Sequence, residues 1–323
     1  MTEIPIDTHR NLALKVLREL NLAESPHQRG LLSGHHSSLP ILAEGEGHRT
    51  FLLKYYLPIP PHTLLPAGSD ADDFARREVG FYRLLDSIDP DRRDFPAPRT
   101  ILTGPGDPPQ WLLLEWLPSA VGPAEEVIGQ DHVMALLQKI QQLPPDRLLG
   151  RRSFPLEHWD PGGYLDRIRA MYDAVLFVLG EARWRHVQRF FAEALRWTDG
   201  RKHVLVHGDF HERNIIVSPD GVPCLVDFES VGIGNRDHDL AWCWIHNTRH
   251  QEWKRQLLLR WLGNTVGSDR IRAEWGIRSA VAYLAIRRLR WGYLTHGDED
   301  PRQGSNLALL DAAIEGGSAL FPG

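Results

Sequence analysis

The chain has 323 residues, 42% hydrophobic and 24% charged, with a formal net charge of −5. That length suffices for two cores in an ordinary globular protein, and the mild negative charge argues against a nucleic-acid binder, which presents a basic face. No run reaches the roughly 18–20 apolar residues of a membrane span, and the opening MTEIPIDTHR lacks the basic-then-apolar order of a signal peptide. Cys224 and Cys243 sit among apolar residues, which suits buried thiols rather than a disulfide framework or a zinc site. The expected compartment is the cytoplasm.

Leu12, Leu14, Val16, Leu17 and Leu20 recur at helical spacing after Thr8, a suitable N-cap, so an amphipathic helix is expected over 8–21. Short apolar runs follow at Leu31-Leu32, at 41–43 and at 50–56, with Gly30, Gly34, Gly45 and Gly47 placed for turns. After a Pro- and Gly-rich stretch from Pro58 to Gly68, the positions of Phe74, Val79, Phe81, Leu84 and Leu85 predict a helix over 72–85. Strands are expected near 99–103 and 111–116. This first third reads as a small, mostly antiparallel sheet interrupted by one helix. Beyond Pro118 the periodicity turns helical, at 133–143, 164–197, 253–262 and 280–293, broken once by a strand–loop–strand over 204–228. The expected fold class is α+β, with a sheet-bearing region 1–117 and a mainly helical region 118–323.

The interruption holds the chemistry. It contains His207-Gly-Asp209-Phe-His-Glu-Arg-Asn214, and Asp227-Phe-Glu229 begins thirteen residues after Asn214. Apolar runs at 204–206, 215–217 and 224–226, with a Pro219-Asp-Gly221 turn, predict a hairpin in which Gly221 takes a positive φ. Asp209 and Asn214 then lie on the loop entering the hairpin and Asp227 just beyond it, so one base and two metal-facing oxygens are expected to converge. An Asp, an Asn and a second Asp at this spacing suit phosphoryl transfer from a nucleoside triphosphate, which needs positioning and charge neutralisation more than covalent help. Mg²⁺ takes oxygen ligands and keeps several waters, so Asn214 and Asp227 plus phosphates would suffice. Asp209 is expected to orient an acceptor hydroxyl and take its proton late in the transfer. His207 is expected to brace the loop, and Glu229 to contact the acceptor or a second metal, or to carry charge at the mouth of the site.

The string resembles the catalytic loop of the aminoglycoside phosphotransferase and choline kinase superfamily, whose fold is protein-kinase-like with two lobes. Gly234-Asn-Arg-Asp-His-Asp239-Leu-Ala241 is similar to the Gly and Asp-Leu-Ala that close that signature, so the match spans 207–241. The resemblance implies a lysine on the third strand reaching the α- and β-phosphates, paired with a glutamate on the next helix; Lys54 and Glu78 suit these roles. It implies that 111–117 runs into a hinge binding adenine through backbone groups around Glu115 to Leu117, which a buried core strand also permits. The phosphate-covering loop of the family is Gly-rich, whereas Ser33-Gly34-His-His-Ser37-Ser38 has one glycine and serines, Ser37 among them, that can donate hydrogen bonds instead. Asp239 would hydrogen-bond the catalytic loop and start the following helix. The implied activity is transfer of the γ-phosphoryl group of ATP or GTP, with Mg²⁺, to a hydroxyl of an aminoglycoside-, aminosugar- or choline-like small molecule. No segment after Asp227 resembles the activation loop of a protein kinase.

Two other classes compete. A metal-dependent phosphoesterase could draw on His207, Asp209, His211, Asn214, Asp227, Asp237, His238 and Asp239, but the first half lacks the Asp-x-His strand end it needs. A catalytically silent kinase-like binding module would be free to lose Lys54, Glu78, Asp209, Asn214 or Asp227, and all are present. His35-His36 is poor metal spacing and reads as a solvated loop. Trp242 and Trp244 read as packing rather than as a cation cage. Glu229, Asp237 and the acidic turn 298–300 would favour a cationic acceptor through electrostatic focusing.

Overall fold

The computed structural model describes residues 6–26, 37–57, 71–119, 127–149, 157–247, 251–263 and 265–316. Leu31-Leu32, the Pro58–Gly68 stretch and residues 33–36 of the serine-containing loop lie outside these. The chain divides into two compact units: Met1–Val121 with Asp146–Pro155 and Ile216–Ser230, and Gly122–Pro145 with Leu156–Ile215 and Val231–Gly323.

In the first unit α1 (Ile6–Glu19) precedes a five-stranded sheet of order β1-β2-β3-β5-β4, from β1 (Ala23–Glu24), β2 (Ser38–Glu44), β3 (Thr50–Tyr56), β4 (Thr100–Thr103) and β5 (Trp111–Glu115). Every pairing is antiparallel. Helix α1 starts before Thr8, so Thr8 lies in its first turn and is not the cap. Its Ala13 and Leu17 bury against Leu39, Ile41, Leu53, Trp111 and Leu113. Because side chains alternate along a strand, β3 sends Phe51, Leu53 and Tyr55 into that core and turns Lys54 to the other face. There α2 (Ala71–Ile88) supplies Glu78. The hairpin of β8 (Ile215–Val217) and β9 (Pro223–Leu225) turns at Gly221, φ +79°, and Leu225 N–H donates to the Pro96 carbonyl at 2.9 Å. Phe228 then stacks on Phe81 of α2 at 4.3 Å and meets Tyr82 edge-on at 5.3 Å, which fixes the segment that carries Asp227.

The second unit is mainly helical, as α3 (Gln130–Gln142), α4 (Pro161–Ala170), α5 (Tyr172–Thr198), α6 (His238–His246), α7 (Gln251–Gly263), α8 (Gly267–His296) and α9 (Gln303–Glu315). The helix expected over 164–197 is two helices meeting at Met171, and Gly180 inside the second has φ +70°. The helical region is also interrupted more than once: β6 (Glu157–Trp159), β7 (Val204–Val206) and β10 (Gly232–Gly234) form a small sheet of order β6-β10-β7. Glycine is required at 234, where a Cβ would run into the Trp159 carbonyl of β6. The core stacks Trp159 on His238 at 4.6 Å and Tyr164 on Tyr283 of α8 at 4.8 Å. Among the described residues no helix is long and apolar enough to cross a membrane.

Candidate active site

Two clusters carry the residues singled out by sequence, one in each unit. In the first unit the Lys54 Nζ stands 2.7 and 2.6 Å from the two oxygens of Glu78 and 2.6 Å from Oδ1 of Asp227. Lys54 and Glu78 are buried, and the Tyr56 hydroxyl donates to Glu78 at 2.9 Å. Asp227 is held at φ +69°, a left-handed conformation that Asp tolerates better than most residues. Glu229 lies two residues on; its carboxylate contacts the Ser37 hydroxyl, and Arg77 donates to its carbonyl at 2.7 Å.

Three carboxyls, buried Glu78 and the half-buried Asp227 and Glu229, therefore act on one ammonium. Burial pushes the Lys54 pKa down, but Asp227, Glu78 and Glu229 together carry it well above its ordinary value. Burial also raises Glu229 to about 8, reinforced by the negative charge of Asp227. Glu78 is raised by burial against the pull of Lys54. More carboxyls than cations, all with oxygen donors, suit a hard divalent cation and do not suit a soft one.

The remaining first-unit candidates are at the end of β5. Glu115 accepts from the Arg99 backbone N–H at 3.0 Å through its side chain. The backbone N–H groups of Glu115 and Trp116 donate to Arg99 and Thr50 carbonyls at 3.0 and 3.2 Å. Leu117 makes no backbone hydrogen bond with the described residues.

In the second unit, β7 leads into the loop. Gly208 takes φ +79°, and the Asp239 carboxylate accepts from the N–H groups of His207 and Gly208 at 2.7 and 3.0 Å. Asp239 lies in the first turn of α6 and ties that helix to the loop. Burial pushes its carboxyl up to about 7, against these two donors. His207, fully buried, accepts from the Asp209 N–H at 3.3 Å through Nδ1. The Asn214 amide donates to the Asp209 carbonyl and carboxylate at 2.9 and 3.3 Å. Its donors are thus spent on the loop, and the group it has left for a cation is its oxygen.

Sequence reasoning gave His211 no part in the phosphoryl-transfer site, yet it completes the loop. Its Nδ1 accepts from the Arg213 N–H at 3.1 Å, so in the neutral ring the proton sits on Nε2, 3.5 Å from Oδ2 of Asp209. Burial alone would raise the Asp209 carboxyl. The hydrogen bond and charge of His211, then the charges of His207 and Arg287, carry it well below the usual carboxylate range. Asp209 is an ionised acceptor at neutral pH. The signal was a histidine two residues beyond Asp209 in a tight turn; its partner was not readable.

Two acids expected near an acceptor are occupied elsewhere. Asp237 is fully buried, paired with the Arg201 guanidinium and accepting from the Trp261 indole at 2.8 Å. Asp300 is buried and accepts from the Arg302 N–H at 3.1 Å.

A model of the phosphotransferase enzyme family matches residues 32–275. Among solved structures, a thermostable variant of aminoglycoside phosphotransferase APH(4)-Ia in ternary complex with ADP and hygromycin B aligns at TM-score 0.61 and 13% identity, over 94% of this chain and 97% of that one. The gentamicin complex of APH(2")-IIa aligns at TM-score 0.60 and 13% identity, over 99% of each chain. ADP-bound APH(2'')-Ib aligns at TM-score 0.56 and 14% identity, over 95% of this chain and 97% of that one. At these identities the likeness is one of fold. A search among curated proteins found no match.

Proposed function

The chain belongs to the phosphotransferase enzyme family, within the aminoglycoside phosphotransferase and choline kinase superfamily, and from that premise we propose that it transfers the γ-phosphoryl group of ATP to a hydroxyl of a small molecule. The observation that carries this reading is Lys54, an ammonium held between Glu78 and Asp227, residues from three separate parts of the sequence.

On this reading Lys54, set by Glu78, holds the α- and β-phosphates, and peptide groups from Glu115 to Leu117 receive the adenine. Ser37 is proposed to donate to phosphate. Asp227 and the oxygen of Asn214 would hold Mg²⁺, which when bound offsets phosphate charge. Glu229 is the candidate for a further cation or acceptor contact. Asp209 accepts the hydrogen bond of the acceptor hydroxyl and aligns its oxygen with the γ-phosphorus. The new O–P bond forms as the bond to the β-phosphate oxygen breaks, ADP leaves with that electron pair, and the hydroxyl proton passes to Asp209. A carboxylate of low pKa is a weak base, so the proton moves late, once the oxygen already bonds phosphorus. His207 and Asp239 hold the loop, and His211 keeps Asp209 ionised.

Adenine nucleotides in the compared structures support ATP as donor, and their aminoglycosides support a small-molecule acceptor. The test is ADP release from ATP and magnesium across a panel of hydroxyl compounds, with Asp209→Asn as control. ADP formation that needs an acceptor and is lost in Asp209→Asn is expected; turnover independent of Asp209 refutes the assignment.

A further inference from the structure

Beyond the Asn214 amide, Asp209 meets histidines and the charge of Arg287 within its own unit, and α6 nearby carries aromatic rings and meets further cations. The His211 ring lies 5.9 Å from that of His246, which stacks on Trp242 at 5.2 Å. Arg287 of α8 covers the Trp242 ring at 5.0 Å, and its charge reaches Asp209. The neighbouring Arg288 donates to the Ile245 carbonyl at 3.1 Å, and Lys254 of α7 lies over the Trp244 ring at 5.5 Å.

Of these cations, Arg288 is the one short of a counter-charge. Neither Arg287 nor Arg288 forms an ion pair among the described residues. Arg288 is partly buried, and burial together with the nearby Arg302 lowers its pKa. A desolvated guanidinium without a carboxylate is unfavourable unless something else supplies the negative charge. Asp209 is the carboxylate in the field of Arg287, but none of the acids Asp237, Asp239, Asp300 and Glu212 pairs with Arg288: Asp237 is committed to Arg201 and Trp261, Asp239 to the loop backbone and Asp300 to Arg302, while Glu212 sits in the field of Lys254. Trp242, 3% exposed, also has an indole N–H with no acceptor among the described residues. A guanidinium without an ion pair, an orphan buried N–H and stacked rings together suit an oxygen-rich anion.

Building on the phosphotransferase reading, we propose that Arg287, Arg288, His246 and Trp242 form the acceptor subsite and select a hydroxyl compound bearing a carboxylate or phosphate over an amine-bearing one. The geometry is opposite in sign to what a polycationic aminoglycoside requires, since amines there would meet like charges.

Titration calorimetry on the full chain with ADP and magnesium, using scaffold-matched probes, tests this. The sets are glucuronate, glucose 6-phosphate, glucose and glucosamine, and glycerate, glycerol and ethanolamine. At least one acid is expected to bind about tenfold or more tightly than its amine counterpart. Arg288→Gln and the solvent-facing Arg287→Gln should each weaken that acid about tenfold and leave the neutral member within about threefold. Equal or tighter binding of the amines or of gentamicin, or no binding of any acid, overturns the proposal. Asp209-dependent ADP release with amines alone would refute the charge selection and keep the phosphotransferase reading. Acid binding without any ADP release would do the reverse.

Discussion

Removing the ammonium at Lys54 leaves Glu78, Asp227 and Glu229 without the cation that all three feel. Lys54→Met keeps most of the side-chain volume, so the effect is electrostatic. Breaking a buried ion pair by deleting one partner costs about 3–5 kcal/mol. With an unfolding entropy of roughly 2 cal/mol/K per residue, that lowers the melting temperature by roughly 4–7 °C for a chain of this size. The loss should depend on pH. A carboxyl whose folded pKa is raised keeps a proton that the unfolded chain has already given up. Stability therefore falls as pH climbs from the unfolded glutamate value, about 4.3, toward the folded one, which is about 8 for Glu229. Losing Lys54 raises Glu78 and Glu229 further, so the variant falls away from wild type across this window. Melting followed by circular dichroism at pH 5 and pH 8 should show the smaller deficit at pH 5, and adding Glu78→Gln should recover part of the deficit at pH 8. An unchanged melting temperature at pH 8, or a larger deficit at pH 5, would refute the shared-ammonium account.

Asp209→Asn removes the proton acceptor and should lower kcat about 10²–10⁴-fold, while the KM for ATP, measured by initial rates, stays within about threefold. His211→Ala withdraws the first influence holding Asp209 ionised, so the acid limb of the kcat/KM profile should move to higher pH; a limb that stays put would mean that His211 does not act through Asp209. Asp239→Ala strands two buried N–H groups and should cost about 2–4 kcal/mol in denaturant unfolding, together with most of the activity. Asp227→Asn should raise the magnesium concentration needed for half-maximal rate about tenfold or more, read from magnesium titrations at fixed ATP.

Much of the site was legible because it is local. The hairpin at Gly221 and the loop from His207 to Asn214 lie within about twenty residues, and glycine, proline and aspartate state their turns directly. The order of Lys54 and Glu78 along the chain named that pair once the family resemblance was invoked. What failed to show was long-range. Strands of three residues, such as β6 and β10, carry too little periodicity to announce themselves, and their pairing joins Gly232 to Glu157 far along the chain. Asp237 read as an acid near the acceptor because nothing nearby in sequence reveals Arg201 or Trp261 closing over it.

The sequence by itself determined which groups are available: a hairpin with its loop, an alternating strand that turns Lys54 away from its neighbours, and helices with one apolar face. These follow from backbone sterics and side-chain periodicity, which act over a few residues. Only the tertiary structure decided which groups share a field. It packs Ile216–Ser230 into the unit of Lys54 and Glu78, spends Asp237 and Asp239 on internal partners, brings the charge of Arg287 to Asp209, and leaves Arg288 without an ion partner among the described residues. The physical reason is that desolvation and Coulomb energy depend on distance through space and on burial, and neither quantity is written in the order of residues along a chain.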